Sequence, residues 1–196
     1  SGSTKSHAGR SRRTRTLQAH LAHSAMASTS FDFLKASWGV ELLERAKEEI
    51  EAQAESLSQK HIQEYLLDVD IRKFGLVSAL PKSLLQFSGN VPPGRYLVQV
   101  SKIADVTQPS KFQEQFEGGK WRLLALDLAD GEQKFRAIEY GAIKDLGVHL
   151  PPGTKLLLSS SEQAPLRMLN AHMLLQPANV RLLGGNVEKL TESWHA

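Results

Sequence analysis

A chain of 196 residues with 41% hydrophobic content can bury a real core in one large or two small domains. Its formal charge of +3 conceals an asymmetry: Lys5, Arg10, Arg12, Arg13 and Arg15 give residues 1–30 a charge of +5 with no acid, and nineteen basic against twenty-one acidic residues leave 31–196 at −2. That excludes a body that tracks a phosphate backbone by charge alone, the absence of cysteine excludes disulfides and thiolate chemistry, and no apolar run approaches the ~20 residues of a membrane-spanning helix.

Residues 1–30 are rich in Ser, Thr, Ala, Arg and His without an apolar face, which reads as a disordered basic arm. Vector or untranslated sequence ahead of a natural start at Met26, a nucleic-acid-binding tail and a targeting signal are the three readings open for it. From Ser30, a suitable cap, the spacing of Phe33, Leu34, Trp38, Leu42, Ala46 and Ile50 against Glu41, Glu44, Glu48, Glu49 and Glu51 predicts an amphipathic helix over 31–50. A second helix is predicted over 59–70, capped by Ser58, stapled by Leu57 and striped by Ile62, Tyr65, Leu66 and Val69. A short helix after Ile71 ends at Gly75 or Leu80-Pro81. Residues 31–80 thus form a small helical bundle of net charge −4 (ten acids, six bases), too small for an independent core and expected to pack against the strands C-terminal to it.

Residues 81–94 connect to a strand carrying Tyr96, Val98, Val100 and Ile103 and broken at Val106 by Thr107-Gln108-Pro109. The polar loop Thr107 to Lys120 precedes a strand from Trp121 to Leu128, and Asp130-Gly131 is a hairpin signal that returns the chain through Lys134 to Tyr140. A linker from Gly141 to His149 leads to Pro151-Pro152-Gly153, then a strand at Lys155 to Ser159, a polar hairpin loop to Pro165, and a strand at Arg167 to Gln176. Gly184-Gly185 breaks the chain before a closing helix over 186–196 with Val187, Leu190 and Trp194 on one face. The fold class is therefore α+β: a small N-terminal helical bundle, a five-stranded OB-fold β-barrel over 95–185 and a short C-terminal helix, with a split sandwich as the structural alternative.

Chemistry is sparse. Phosphate-loop, dinucleotide, zinc-protease and nucleophile-elbow motifs are absent, and the seven histidines show no ligand spacing beyond His20 and His23, so neither metal, cofactor nor enzymatic activity is expected. Asp127 with Asp130, and Asp68 with Asp70, read as solvated charges or caps. Between Arg95 and Leu183 eleven basic residues meet nine acidic ones, and alternation puts at least half of Tyr96, Trp121, Phe135 and Tyr140 inside, a thin signal for single-strand binding. Phe112 and Phe116, set among polar residues of the loop, are the better candidates for a partner anchor, the alternative being that both rings fold back onto the barrel mouth.

The segments LSQKHIQEYLLDVDIRKFG (57–75), YLVQVSKIADVTQP (96–109), LLALDLADGEQKFRAIEY (123–140), LPPGTKLLL (150–158) and LLQPANVRLLGGNVEKLTESW (174–194) together resemble the N-terminal module of the RecQ-mediated genome instability protein 1 family. The resemblance implies a non-catalytic scaffold in the nucleus. It would bind topoisomerase III, a type IA enzyme, and work with a RecQ-type (Bloom) helicase to dissolve double Holliday junctions, meeting DNA mainly through the complex. It also implies that the loop between the first two strands reaches toward the topoisomerase gate, giving Pro109, Lys111, Phe112, Gln113, Gln115, Phe116 and Lys120 as partner-binding residues, with Lys155 of PPGTK on the same docking surface. The loop is shorter than in vertebrate members, and this, with DIRKFG and VEKLTESW, leans toward the related Tudor-domain-containing protein 3, whose similar module binds topoisomerase III beta, while DVTQP leans toward the first family. With no Tudor or second OB domain after the closing helix, the chain is expected to be an N-terminal fragment or a short member.

Overall fold

The computed structural model describes residues 31–53 and 58–195, so the basic arm, the Ser30 cap and the Leu57 staple lie outside the described residues. The helix predicted over 31–50 is two helices with a strand between them: α1 (Phe33–Trp38), β1 (Val40–Leu42) and α2 (Glu44–Gln53). The break is at Gly39, with φ of 67°, where a Cβ would run into the carbonyl oxygen of Arg95. Periodicity carries through this position because Trp38, Val40, Leu42 and Ala46 are all buried, but only glycine allows the backbone to approach so closely while turning left-handed. Helix α3 (Gln59–Asp68) starts as expected, the Ser58 hydroxyl accepting from His61 N–H, and α4 (Ile71–Phe74) ends at Gly75. Strand β2 (Leu76–Ser78) then pairs antiparallel with β1.

The remaining strands are β3 (Gly89–Asn90), β4 (Gly94–Asp105), β5 (Leu124–Ala129), β6 (Lys134–Glu139), β7 (Lys155–Ser160), β8 (Arg167–Leu169), β9 (His172–Leu175) and β10 (Val180–Gly184), followed by α5 (Glu188–His195). Their order in one sheet is β10-β7-β4-β5-β6-β9-β8-β3. Strand β4 changes partner along its length: Gly94 to Gln99 pairs with β7 and Gln99 to Asp105 with β5, with a register shift between Val100 and Lys102. The resulting bend suits a strand shared by two arms of a curled sheet.

This is a mixed α+β architecture with one large sheet and a C-terminal helix, but the five-stranded closed barrel is not what forms: the sheet has eight strands and its ladder stays open. It nevertheless curls. Leu175 and Val180 are linked by a short turn at Pro177–Asn179 that spans at most about 18 Å, whereas β9 and β10 would stand about 24 Å apart across a flat sheet. The predicted strand from Arg167 to Gln176 is in fact the β8–β9 hairpin, because Asn170 (φ 48°) and Ala171 (φ 62°) turn the chain back. The polar segment after β7 is correspondingly no hairpin loop, since β7 pairs with β4 and β10. Between β6 and β7 the chain makes turns without a helix.

Two cores share the central strands. Tyr96, Val98, Val100, Leu156 and Leu158 face inward with Leu126, Leu128, Phe135, Met173 and Leu175, while Leu97 and Leu157 face the opposite way into Leu34, Trp38, Ile50, Ile62, Leu66 and Ile71. β4 and β7 are thus apolar on both faces, which explains their nearly unbroken hydrophobic runs. The helices are also tied down by polar groups: buried Gln99 accepts from Ile71 N–H and donates to Asp70, and Asn186 N–H donates to Asp68. Burial pushes the Asp70 carboxyl up, but hydrogen bonds from Arg72 and Gln99 and the Arg72 charge overcome that and hold it at about 2. At Gly185 a Cβ would collide with the carbonyl of Leu67, so the glycine pair lets β10 run against the end of α3.

Candidate functional site

The segment between β4 and β5 is not a loose polar loop. Asp105, fully buried at the end of β4, organises it: its carboxylate accepts from Thr107 N–H at 3.0 Å and Oγ1 at 2.7 Å, from Gly118 N–H at 2.5 Å and from Leu123 N–H at 3.1 Å. The first two bonds form an Asx-type turn, and the last two bring the far end of the loop back to its start. Burial pushes the Asp105 carboxyl upward, yet these donors prevail and hold it at about 2. Asp105 N–H donates to the Gln113 carbonyl at 2.7 Å, and the Gln113 side chain donates to the Gln108 carbonyl, so the middle of the loop is fixed too.

A second network anchors the loop to the β6–β7 connection. Arg122 donates through Nε and Nη2 to both oxygens of Glu139 at 3.2 and 2.8 Å, through Nη1 to Glu117 at 2.6 Å, and through Nη2 to the Ile143 carbonyl at 2.8 Å. The other oxygen of Glu117 accepts from Val148 N–H. Glu139, with its side chain 2% exposed, and then Glu117 raise the Arg122 pKa against the cost of burial. Two short 3-10 turns, Ser110–Phe112 and Gly119–Trp121, form between these fixed points.

This frame displays aromatic rings. Phe112 is half-buried and meets Phe116 edge-on, with centroids 5.5 Å apart, while Phe116 is 56% exposed. Only Phe112 therefore folds back in part. Trp121 is 81% exposed, because β5 begins at Leu124 and not at the tryptophan as the alternation suggested. Val106, Leu123 and Tyr140 are exposed at the same end of the sheet, where the ends of β4 and β6 flank the start of β5. Lys111 Nζ lies 4.6 Å from the Phe112 ring centroid and Lys120 Nζ 5.8 Å from that of Trp121. Pro109 and Gln115 are exposed on the same loop. Seven of the eight residues singled out in the sequence thus share one ordered loop.

Lys155 does not join them. It is fully buried, its ammonium donating to the carbonyls of Leu67 at 2.8 Å and Gly153 at 2.7 Å. Leu67 lies in the last turn of α3, where carbonyls have no helical partner and a cation is favoured, so Lys155 caps that helix from the sheet. Burial pushes its pKa down to about 8 despite the pull of Asp70 and Asp68. The expected docking role fails for this residue because the helices cover its face of β7. Among the described residues no group of three or more His, Asp or Glu could hold a metal ion.

The family model described as RMI1, N-terminal OB-fold domain, matches residues 80–196. The chain belongs to that family. The RMI1 N-terminal OB-fold match contains the whole sheet β3 to β10, the loop, and both networks that hold it. RecQ-mediated genome instability protein 1 of Danio rerio is 30% identical over 158 residues, covering 69% of this chain and 29% of that protein. The Arabidopsis thaliana protein of the same name is 32% identical over 135 residues, 68% of this chain and 20% of the relative. Tudor domain-containing protein 3 of Xenopus tropicalis is 31% identical over 128 residues, 65% and 17% respectively. The chain spans less than a third of the length of each of these relatives.

Of the four aromatics weighed in the sequence, Tyr96 and Phe135 are buried and Trp121 and Tyr140 exposed, as alternation allows, whereas Asp105 and Arg122 were not foreseen. An aspartate two residues before a threonine at a strand end was the one local signal available, for Asp105. Arg122 had none, since its partners Glu117, Glu139 and Ile143 are assembled by the fold.

Proposed function

We propose that this chain is a non-catalytic accessory module that binds topoisomerase III and presents the loop from Thr107 to Trp121 to its DNA gate. In this reading it acts in the nucleus with a RecQ-type helicase, supporting decatenation and double Holliday junction dissolution in the service of genome stability. The observation that carries it is the loop itself: Phe116 and Trp121 stand in solvent on a segment held at both ends and in the middle by Asp105 and Arg122. Ordering costs for such a loop are met during folding, so little is lost on docking. A partner shifts a gate equilibrium only through unequal contacts with its open and closed states, and a stiff projection can make unequal contacts where a floppy one cannot. The name RecQ-mediated genome instability protein 1, borne by the relatives, supports the setting.

A Tudor domain-containing protein 3-type adaptor is the same module serving another topoisomerase III paralogue, and the relative of that name supports it. Isothermal titration of the full chain with each topoisomerase III paralogue tests the proposal. The expected result is a complex of roughly micromolar affinity or tighter with at least one. Absence of binding to all, together with tight single-stranded DNA binding that falls steeply with salt, would make this a single-strand-binding OB module instead.

A further inference from the structure

We propose that Thr107 is a phosphorylation site and that its modification releases the loop, which makes the order of this segment a regulated property. The proposed function enters only for what the loop serves; the release itself concerns this chain alone.

Thr107 is exposed, yet its hydroxyl belongs to the group of bonds that closes the loop. It donates to Asp105 Oδ1 at 2.7 Å and accepts from Gln108 Nε2 at 3.3 Å. The same carboxylate holds the two N–H groups that bring the far end of the loop back, those of Gly118 and Leu123. Space there is short. A Cβ built on Gly118 would lie 2.9 Å from Thr107 Oγ1 and 3.2 Å from Asp105 Oδ2, so the glycine backbone is packed on the hydroxyl and the carboxylate together.

A protein kinase would move the γ-phosphoryl group of ATP onto Oγ1: the bond from that phosphorus to the ADP oxygen breaks, the Oγ1–P bond forms, and the hydroxyl proton leaves to a base of the kinase. The ester oxygen then has no hydrogen to donate, and a group of charge about −2 stands beside a buried carboxylate. No surplus cation meets it. Lys102, Lys111, Lys120 and Arg122 are matched by Asp105, Glu114, Glu117 and Glu139, with Lys102 paired to Glu114 and Arg122 to Glu117 and Glu139. A phosphate placed next to an acid without a free base disrupts by repulsion, and the contacts it displaces here are those that hold Gly118 and Leu123. Thr107 is also followed by Gln108, the residue that glutamine-directed serine/threonine kinases read after their acceptor. Ser110 marks the contrast. It is exposed on the same loop, but its hydroxyl has no hydrogen-bond partner among the described residues, so charge placed there breaks nothing.

The test is amide hydrogen exchange, read by NMR, on the full chain carrying phosphothreonine at 107. Protection of the Gly118 and Leu123 amides should fall at least about 100-fold in the phosphorylated chain, and about 10-fold in Thr107→Val, which loses the hydroxyl bond without gaining charge. Thr107→Ser should match wild type, as should the chain phosphorylated at Ser110. Circular dichroism should keep the wild-type sheet signal throughout, which separates loop release from unfolding. Protection no lower than in Thr107→Val would show that the charge adds nothing, and protection above wild type would show that a lysine holds the phosphate; either overturns the switch. Incubating the folded chain with ATP and a glutamine-directed kinase, followed by mass spectrometry, tests the acceptor, and absence of phosphate at Thr107 overturns the site. None of these readouts contains topoisomerase. A loop that loosens as expected in a chain that does not bind topoisomerase III would sustain the switch and refute the proposed function.

Discussion

Arg122→Met is the substitution that bears most directly on how the loop is held. The side chain forks onto Glu139 with two hydrogen bonds and reaches Glu117 and the Ile143 carbonyl with two more. Methionine fills much of the same space but leaves Glu139, 2% exposed, with the Ile143 N–H as its remaining bonded donor. Removing one member of a buried ion pair costs about 3–5 kcal/mol, most of it from the charge left behind. For a chain of this size that corresponds to a fall in Tm of roughly 10 °C. Urea unfolding followed by circular dichroism measures it, and limited proteolysis within residues 107–121 reports whether the loop has come free. Arg122→Lys should fall between the two, since an ammonium cannot span both Glu139 oxygens. Adding Glu139→Gln to Arg122→Met should restore part of the loss by removing the stranded charge. If Arg122→Met changed stability by less than about 1 kcal/mol and left the loop resistant, the network would be incidental and the loop would owe its order to something else.

Deletion of Gln113 to Gly118 removes the carbonyl bonded to Asp105 N–H, the Gly118 donor and the Glu117 partner of Arg122, so it should cost about 3 kcal/mol or more in the same urea assay. Phe116→Ser, at an exposed ring, should stay within about 0.5 kcal/mol of wild type. Lys155 has a folded pKa of about 8, below its ordinary 10.5, so the unfolded chain holds more protons between these values and folding stability rises with pH across them. The rise is on the order of 3 kcal/mol, and the difference in stability between wild type and Lys155→Met, measured from pH 7 to 10.5, should change by that amount. Asp70 and Asp105 act in the same direction in the acid range: both are held at about 2 against an ordinary 3.8, so the stability they contribute is complete above about pH 4 and lost as pH falls through 2. Asp105→Asn should therefore flatten part of the acid limb of an unfolding curve.

What was legible in the sequence is what depends on near neighbours. The Ser58 cap, the stop at Gly75 and the Asp130-Gly131 turn all rest on residue types with local conformational consequences, and each formed. At Asp130 the carboxylate itself accepts from Glu132 and Gln133 N–H, which makes it a buried turn cap. Where distant backbone decided, the sequence was silent. Gly39 breaks a helical pattern because Arg95 lies against it, and Lys155 is buried because the end of α3, 88 residues back, requires a donor. Ala171 turned a strand into a hairpin in a conformation that its residue type disfavours. The loop was located through its polar composition and its phenylalanines, but Trp121 was lost with the register: beginning β5 three residues later moves the indole from strand to surface.

The proposed action of the ordered loop on the topoisomerase gate is read out by decatenation. Topoisomerase III would be assayed with wild-type chain and with Phe116→Ser/Trp121→Ser, a variant whose folding and whose affinity for the enzyme are measured alongside. Wild-type chain should stimulate decatenation, and the variant, bound to the same extent, should lose most of that effect. Equal stimulation by both proteins at equal occupancy would rule out a role for the loop at the gate.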